Sequence, residues 1–328
     1  MPDSGLTPFR DFPEDLIRSI FESALEDPDD LNWECAMLSK AVQRWVEPLL
    51  YRQIVLNTTK RVSLLHRTVL DVTTSQSSRS MKARSFFQTH VKLFCMTTVD
   101  PDFWNLMFDI FLECSSAICN LYCHVLLNAA AARSVPKLRV GEHTVWERVH
   151  PKRLRIPELM FTPARRNFNQ TVFKHVTHLD LYWRPTEDSN PWDWRSLSLL
   201  TALTHLCFSP SIPPESLPSA SQSLRSAVPH FPPALIVCIF FIPYTQDLSD
   251  AYQHIEENGP RRLKDDRVVI AVDFRYWDEQ SRIGLESVLE GEIIWRHSHN
   301  NSTEARKDNE GPLWDRAESV ITKRRRIS

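Results

Sequence analysis

The chain has 328 residues, of which 42% are hydrophobic and 24% are charged, a balance typical of a globular protein rather than a disordered one. Its formal net charge of −2 argues against a dedicated nucleic-acid-binding protein, because such proteins carry an excess of Lys and Arg. The longest apolar run, residues 234–242, is far shorter than the ~20 residues that a membrane-spanning helix needs, so we expect neither a nucleic-acid nor a membrane partner.

Apolar residues at helical spacing predict three amphipathic helices within residues 12–50. The apolar positions are Leu16, Ile17, Ile20, Phe21 and Ala24 in the first helix, Trp33, Ala36 and Met37 in the second, and Val42, Trp45, Val46 and Leu49 in the third. Pro13 falls in the first turn of the first helix, where its missing N–H costs nothing. We expect the three helices to pack as one unit, with Trp45 buried against Ile20 or Phe21.

Three sequence segments follow the order of a known motif across residues 10–56. They are the run Phe12-Pro13-Glu14-Asp15-Leu16-Ile17-Arg18-Ser19-Ile20-Phe21, the run Leu38-Ser39-Lys40 followed by Trp45, and the exit Pro48-Leu49-Leu50-Tyr51-Arg52. These segments resemble an F-box of the divergent type common in fungal proteins, although Phe12 replaces the usual leucine and the spacing from Pro13 to Trp45 is longer. Any three amphipathic helices would show similar apolar stripes, so the alternative is a generic helical unit.

The F-box resemblance implies a docking role for these helices. An F-box binds a Skp-type adaptor by a helix-in-groove contact and, through that adaptor, a cullin. By match to the motif, the residues that carry or support this contact are Phe12, Pro13, Leu16, Leu38 and Trp45.

Beyond residue 56 the sequence contains a weak internal repeat. The segments Val176–Leu181 and Leu203–Phe208 share the form apolar-x-x-apolar-x-apolar and begin 27 residues apart. Further copies begin at Val91, Ile118, Leu235 and Val269, with a poor copy at Pro151. The stretches between copies have helical patterns and leave room for crossover connections. The sequence therefore predicts parallel strands, adjacent in chain order, with helices covering one side.

This arrangement resembles the irregular leucine-rich-repeat-like region that often follows an F-box. The asparagine that usually follows the template is absent, with Arg184 and Ser211 in its place. The predicted fold class is α+β or α/β: an F-box-like helical domain over residues 1–56, irregular leucine-rich-repeat-like β-α units over residues 57–296, and a polar, flexible tail over residues 297–328. The alternative is a single α/β domain whose buried strands happen to resemble one another.

Strand positions that point away from the connecting helices would line the inner surface of such an array. The candidate substrate-binding residues at these positions are Tyr122, His178, Asp180, Tyr182 and His205. Tyrosine is a frequent interface anchor, but each of these residues is also explained as an ordinary surface or core-edge residue. The tail ends in Lys323-Arg324-Arg325-Arg326, which is either a solvated basic end or a nuclear import signal.

The seven cysteines are expected to be reduced thiols. Residues 1–10 lack an apolar core, so the sequence predicts no secretory signal, and we expect a cytoplasmic or nuclear protein. A group of metal-ligating residue types lies close together in the sequence: Cys114, Cys119, Cys123 and His124. Their spacing matches no zinc motif, so we expect neither a metal nor any other cofactor and interpret these cysteines as small core residues.

Motifs typical of enzymes are missing from the sequence. The six glycines form no phosphate-binding loop, dinucleotide fingerprint or nucleophile elbow, so we do not expect an enzyme. The F-box resemblance implies the substrate receptor of a Skp–cullin–F-box ubiquitin ligase, with an unidentified protein substrate bound by the C-terminal array. The alternatives are a non-catalytic interaction scaffold outside a ligase, or an enzyme with an unrecognised site.

Overall fold

The computed structural model describes most of the chain. The described residues are 13–25, 33–74, 82–83, 85–97, 103–123, 140–141, 143–183, 192–210, 217–242, 260–273, 293–296 and 310–327. Of the residues singled out above, Phe12, His124, Arg184 and Ser211 lie outside these ranges.

The N-terminal helices form a small unit with its own apolar cluster. The unit comprises helix α1 (Glu14–Ala24), a short 3-10 helix (Trp33–Met37) and helix α2 (Lys40–Leu50). The Ser39 hydroxyl caps α2 by accepting a hydrogen bond of 3.1 Å from the backbone N–H of Val42. The buried residues of the cluster are Leu25, Val42, Val46 and Leu50, with Phe21 and Trp45 packed against them. The predicted packing of Trp45 was against Ile20 or Phe21: Phe21 packs against the same cluster as Trp45, Ile20 is 51% exposed, and Trp45 is half-buried.

Tyr51 joins this unit to the rest of the molecule. Its ring makes edge-on contacts with Trp33 at 5.3 Å and with Phe86 and Phe87 at 5.6 and 5.4 Å between ring centroids. An ion pair of 2.7 Å between Lys82 and Glu47 spans the same boundary. The helical unit is therefore attached to the sheet through aromatic packing, although its own core is distinct.

Within the described ranges, nine strands form one sheet in which they are ordered as they follow one another in the chain, and every neighbouring pair is parallel. They are β1 (Gln53–Leu56), β2 (Leu93–Met96), β3 (Asn120–Cys123), β4 (Arg153–Pro157), β5 (His178–Trp183), β6 (His205–Pro210), β7 (Val237–Ile242), β8 (Val268–Asp273) and β9 (Ile293–Arg296). The prediction of parallel strands in chain order is confirmed. The repeat template did not predict β1 or β9, and β1 lies within the stretch assigned to the helical domain.

Helices connect most of these strands. They are α3 (Thr59–Thr74), α4 (Phe86–His90), α5 (Trp104–Cys114), α6 (Val145–Arg148), α7 (Leu217–Ala227) and α8 (Pro260–Leu263), supplemented by short 3-10 helices. In the described part of the connection between β5 and β6, the helix is a 3-10 helix, Trp194–Leu199. The protein therefore has mixed helices and strands with a parallel sheet, as in the α/β class.

Strand alternation divides the sheet into two faces, because successive side chains point to opposite sides. On the helix face, Leu179, Leu206 and Phe208 are fully or almost fully buried in the main core beneath the connecting helices. We call the other side the opposite face. The residues on this face include Gln53, Val55, Leu93, Cys95, Asn120, Tyr122, Arg153, Arg155, Pro157, His178, Asp180, Tyr182, His205, Cys207, Ser209, Val237, Ile239, Phe241, Val269, Ala271 and Ile294.

Helix α9 (Glu310–Ile327) packs on the opposite face of the sheet. Its buried residues Leu313, Trp314, Ala317 and Ile321 contact the apolar cluster of β7, β8 and β9. The sequence analysis placed residues 297–328 in a flexible tail, and for residues 310–327 this prediction is wrong. Four apolar positions at helical spacing are sufficient to anchor a helix whose other residues are mostly charged.

Candidate functional site

The structure places all five predicted substrate-binding residues on the opposite face of the sheet, on three strands. Tyr122 lies on β3, His178, Asp180 and Tyr182 lie on β5, and His205 lies on β6. In register, His178 is opposite His205, and Asp180 is opposite Arg155 of β4. Tyr122, Asp180 and His205 are only 5%, 3% and 6% exposed, so a protein substrate has little access to them in this arrangement.

A buried polar cluster lies at the centre of the opposite face. The Arg155 Nε donates a hydrogen bond of 2.7 Å to Asp180 Oδ2, and the Ser209 hydroxyl donates one of 2.8 Å to Asp180 Oδ1. The Arg155 guanidinium also lies 5.7 Å from the ring centroid of Tyr122 and 6.0 Å from that of Tyr182. Burial of an ion pair is costly unless hydrogen bonds compensate it, and the neighbouring strands supply a hydrogen bond to each oxygen of the Asp180 carboxylate.

Arg155 and Ser209 were missed in the sequence analysis. A signal was available for Arg155, because it occupies the fifth position of the poor repeat copy that begins at Pro151. Tyr122, Asp180 and Cys207 occupy the fifth position of their own copies. In a parallel sheet in register, equivalent positions form a row across the strands, and the structure has this row as Tyr122, Arg155, Asp180 and Cys207.

Two stacked histidines lie beside this cluster. The rings of His178 and His205 are 4.1 Å apart with planes only 3° from parallel. Burial lowers the pKa of His178 to about 3, with the nearby His205 and Arg153 adding to the effect. Burial also lowers the pKa of His205, although the hydrogen bond to Glu318 opposes the shift. Both imidazoles are therefore neutral at pH 7, which permits their close stacking.

Helix α9 covers this histidine pair. The Trp314 ring makes edge-on contacts with His178 and His205, at 5.7 and 5.2 Å between ring centroids. The Glu318 carboxylate accepts a hydrogen bond of 2.7 Å from Nε2 of His205. Further along α9, Arg324 donates to the backbone carbonyl of Val268 at 2.7 Å. The face predicted to receive a substrate is thus occupied in part by the chain's own C-terminal helix.

The predicted adaptor-binding residues differ in exposure. Pro13 precedes α1 and is exposed, Leu16 is 52% exposed on α1, and Leu38 is 66% exposed just before α2. Trp45 is half-buried against the small core of the unit, so it supports the helices instead of presenting a free surface. The sequence analysis did not single out Met37 for this contact, yet it is 84% exposed.

The cysteines near residue 120 do not converge on a metal site. Cys114 and Cys123 are buried, Cys119 is exposed, and burial raises the pKa of the Cys114 and Cys123 thiols, which disfavours the thiolate. Within the described ranges, His, Cys, Asp and Glu residues form no group of three or more that could hold a metal ion. Over the same part of the chain, none of the helices combines the length and apolarity needed to cross a bilayer.

Comparison with known proteins supplies no relative from which a function could be transferred: neither a protein-family model nor a curated protein matches the chain. What the fold defines is a parallel α/β protein with an N-terminal helical unit and a C-terminal helix on the sheet. Two surfaces of this molecule are candidates for function: the exposed apolar residues of the N-terminal unit and the opposite face of the sheet.

Proposed function

We propose that the chain is the substrate-receptor subunit of a Skp–cullin–F-box ubiquitin ligase. In this proposal the N-terminal unit binds a Skp-type adaptor, and the β-α array binds a protein substrate. The array resembles irregular leucine-rich repeats in its short strands and their spacing, which supports the assignment without a matching family model. The chain acts by raising the local concentration of the substrate and fixing its orientation, and it does not catalyse a reaction.

The observation that carries this proposal is the exposure of large apolar side chains on the N-terminal unit. Leu16 and Ile20 are one helical turn apart on α1 and about half exposed, while Met37 and Leu38 are exposed just before α2. The unit already has its own core, so these side chains are not needed to hold it together. Burial of a leucine side chain is worth about 1.5–3 kcal/mol, so a partner with an apolar groove gains substantially by covering them.

Substrate binding by the array is constrained by α9. Because Trp314 and Glu318 contact the stacked histidines, a substrate reaches His178 and His205 only after α9 moves away from them. The buried pair of Arg155 and Asp180 has a structural role in the present arrangement, since it links strands β4 and β5 through an ion pair of 2.7 Å. Among the predicted substrate contacts, His178 and Tyr182 are half-buried, whereas Tyr122, Asp180 and His205 are buried.

Adaptor binding is tested with charged substitutions on the exposed residues. The double variant Leu16→Asp/Leu38→Asp should lower recovery of a purified Skp-type adaptor at least ~10-fold in a pull-down with the full chain, because a charge replaces the buried contact. The matched control is Leu199→Asp, which changes a leucine that is 56% exposed on the array. Both variants should keep the wild-type circular dichroism spectrum, and undiminished adaptor recovery by the double variant would exclude the F-box assignment.

A second measurement separates a ligase subunit from a scaffold that binds the adaptor alone. A tagged full-length chain purified from cells should carry both the adaptor and a cullin, and mass spectrometry of the eluate identifies both. The Leu16→Asp/Leu38→Asp variant should lose both proteins together, because the cullin is reached only through the adaptor. Recovery of the adaptor without any cullin would support the scaffold instead.

A further inference from the structure

A groove lies beside the first strand of the sheet, between the N-terminal unit and α3. Its volume is about 340 Å³, at the lower end of the range of ligand pockets. One wall is the face of α3 that carries Arg61, Leu64, Leu65 and Thr68, and the other includes Trp33 and Tyr51. We call this the edge groove.

The edge groove runs along the outer edge of β1 and not over one face of the sheet. All four residues of β1, Gln53–Leu56, line it. Side chains alternate between the faces of a strand, so a cavity on one face would be lined by every second residue. A cavity lined by four consecutive residues lies beside the strand, where the backbone itself is accessible.

The backbone of β1 has hydrogen-bonding groups that point into this space. Among the described strands, β1 lies at the edge of the sheet and has β2 as its one neighbour. The carbonyls of Arg52 and Leu56 accept bonds from the β2 side, at 3.1 Å from Leu93 N and 2.9 Å from Thr97 N. In a parallel ladder, alternate residues bond to the same neighbour. The N–H and C=O groups of Gln53 and Val55 therefore point toward the groove.

The side chains that line the groove indicate which chemical groups a ligand needs in order to bind there. The Gln53 Oε1 atom is buried and has no hydrogen-bond partner among the described residues, so an occupant that supplies a donor would satisfy it. Of the described residues that line the groove, Arg61 alone is charged. Trp33 and Leu64, which are 49% and 45% exposed, offer apolar contact on the two walls.

We propose that the edge groove binds an extended peptide segment of a partner protein, which adds a strand to the sheet beside β1. The backbone of the segment pairs with Gln53 and Val55, an acidic side chain faces Arg61, and an apolar side chain packs between Trp33 and Leu64. Main-chain pairing at an open sheet edge is a general mode of peptide recognition. β1 has the sequence Gln-Ile-Val-Leu, without the Lys or Pro that often protects an edge strand from pairing.

This site is separate from the proposed adaptor contact and from the opposite face. It uses the backbone of β1 and one face of α3, and it needs neither Leu16 nor Leu38. Its test therefore does not depend on a ligase, and either proposal can fail while the other holds.

The probe is a display library of random seven-residue peptides selected against the full-length chain. Selected peptides should share an acidic residue next to alternating apolar residues, and fluorescence polarisation gives the affinity of the best one. Arg61→Glu should weaken this affinity at least ~10-fold, because it places like charges together. The matched control Arg67→Glu changes an exposed arginine of α3 that does not line the groove and should leave the affinity unchanged.

Backbone pairing is tested on the peptide and on the protein separately. N-methylation of alternate peptide residues should abolish binding in one register and spare it in the other, because only every second amide faces β1. In hydrogen exchange, the amides of Gln53 and Val55 should gain protection when the peptide binds. Failure to select any peptide, affinity that Arg61→Glu leaves unchanged, or protection confined to another surface would overturn the proposal.

Discussion

At the residue scale, the stacked histidines connect the sheet to the C-terminal helix. The rings of His178 and His205 lie 4.1 Å apart, and Trp314 contacts both. Two imidazolium ions at this separation would repel each other in a site with little water. Protonation of His178 should therefore oppose the packing of α9 on the pair, and this predicts that stability depends on pH.

The folded protein should lose stability as the pH falls from 7 to 5. The pKa of His178 is about 3 in the folded state and close to 6.5 when the chain is unfolded, so between these values the unfolded state binds more protons. Stability from the neutral His178 is fully present above pH 6.5 and declines as the pH falls toward 3. Urea unfolding at pH 7 and pH 5 measures the difference.

Substitution of His178 separates two contributions to the change in unfolding free energy with pH, the contribution of this histidine and the contribution of the carboxylates. His178→Gln should reduce the loss of unfolding free energy between pH 7 and pH 5, since glutamine does not titrate. The control His175→Gln changes an exposed histidine and should retain the wild-type difference. An equal pH dependence in the His178 and His175 variants would show that the histidine pair is not its source.

At the element scale, periodicity determined which parts of the structure could be predicted. The template copies beginning at Val176 and Leu203 located strands β5 and β6 to within two residues. They succeeded because the apolar positions of the template, such as Leu179 and Leu181, are the strand residues that pack under the helices. The copy that covers strand β4 was the poorest, since Pro151 stands at the first apolar position of the template. The burial of the charged Arg155 in this strand is explained by its hydrogen bond to Asp180, a partner that is distant in sequence.

Helix α9 could not be recognised from composition. Only a few of its residues are apolar, and charged residues surround them, so the segment has the composition of a solvated tail. What stabilises it is the apolar area that β7, β8 and β9 expose on the opposite face, which no local pattern reveals. Tertiary contact thus overrides local propensity at this end of the chain.

The docking of α9 should depend on Trp314, which is 3% exposed. Trp314→Ala should cost about 3–5 kcal/mol of local stability, as expected for a buried tryptophan. Amide hydrogen exchange of residues 313–321 should then become at least ~100-fold faster, because each 1.4 kcal/mol corresponds to a factor of ten. The control Lys323→Ala changes an exposed residue of the same helix and should leave exchange unaltered, whereas slow exchange in the Trp314 variant would show that other contacts hold α9.

At the scale of the whole molecule, the stability of the sheet rests on one continuous core under the connecting helices. Leu179 and Leu206 are opposite each other in register on β5 and β6, and both are completely buried. Each strand buries its apolar residues against helices that precede or follow it, so the strands depend on their neighbours. Loss of one central strand should therefore propagate to the others.

Leu206→Asp should unfold the array as a unit. An unpaired charge at a fully buried position costs on the order of several kcal/mol, which is a large part of the ~5–15 kcal/mol that stabilises a typical domain. Thermal melting followed by circular dichroism should show loss of the cooperative transition, and Leu179→Asp should behave alike. Leu199→Asp, at a leucine that is 56% exposed on the connection between the same two strands, is the matched control and should melt as the wild type does. If Leu206→Asp melts at the wild-type temperature, the strands do not share one core, and the array folds in separable parts.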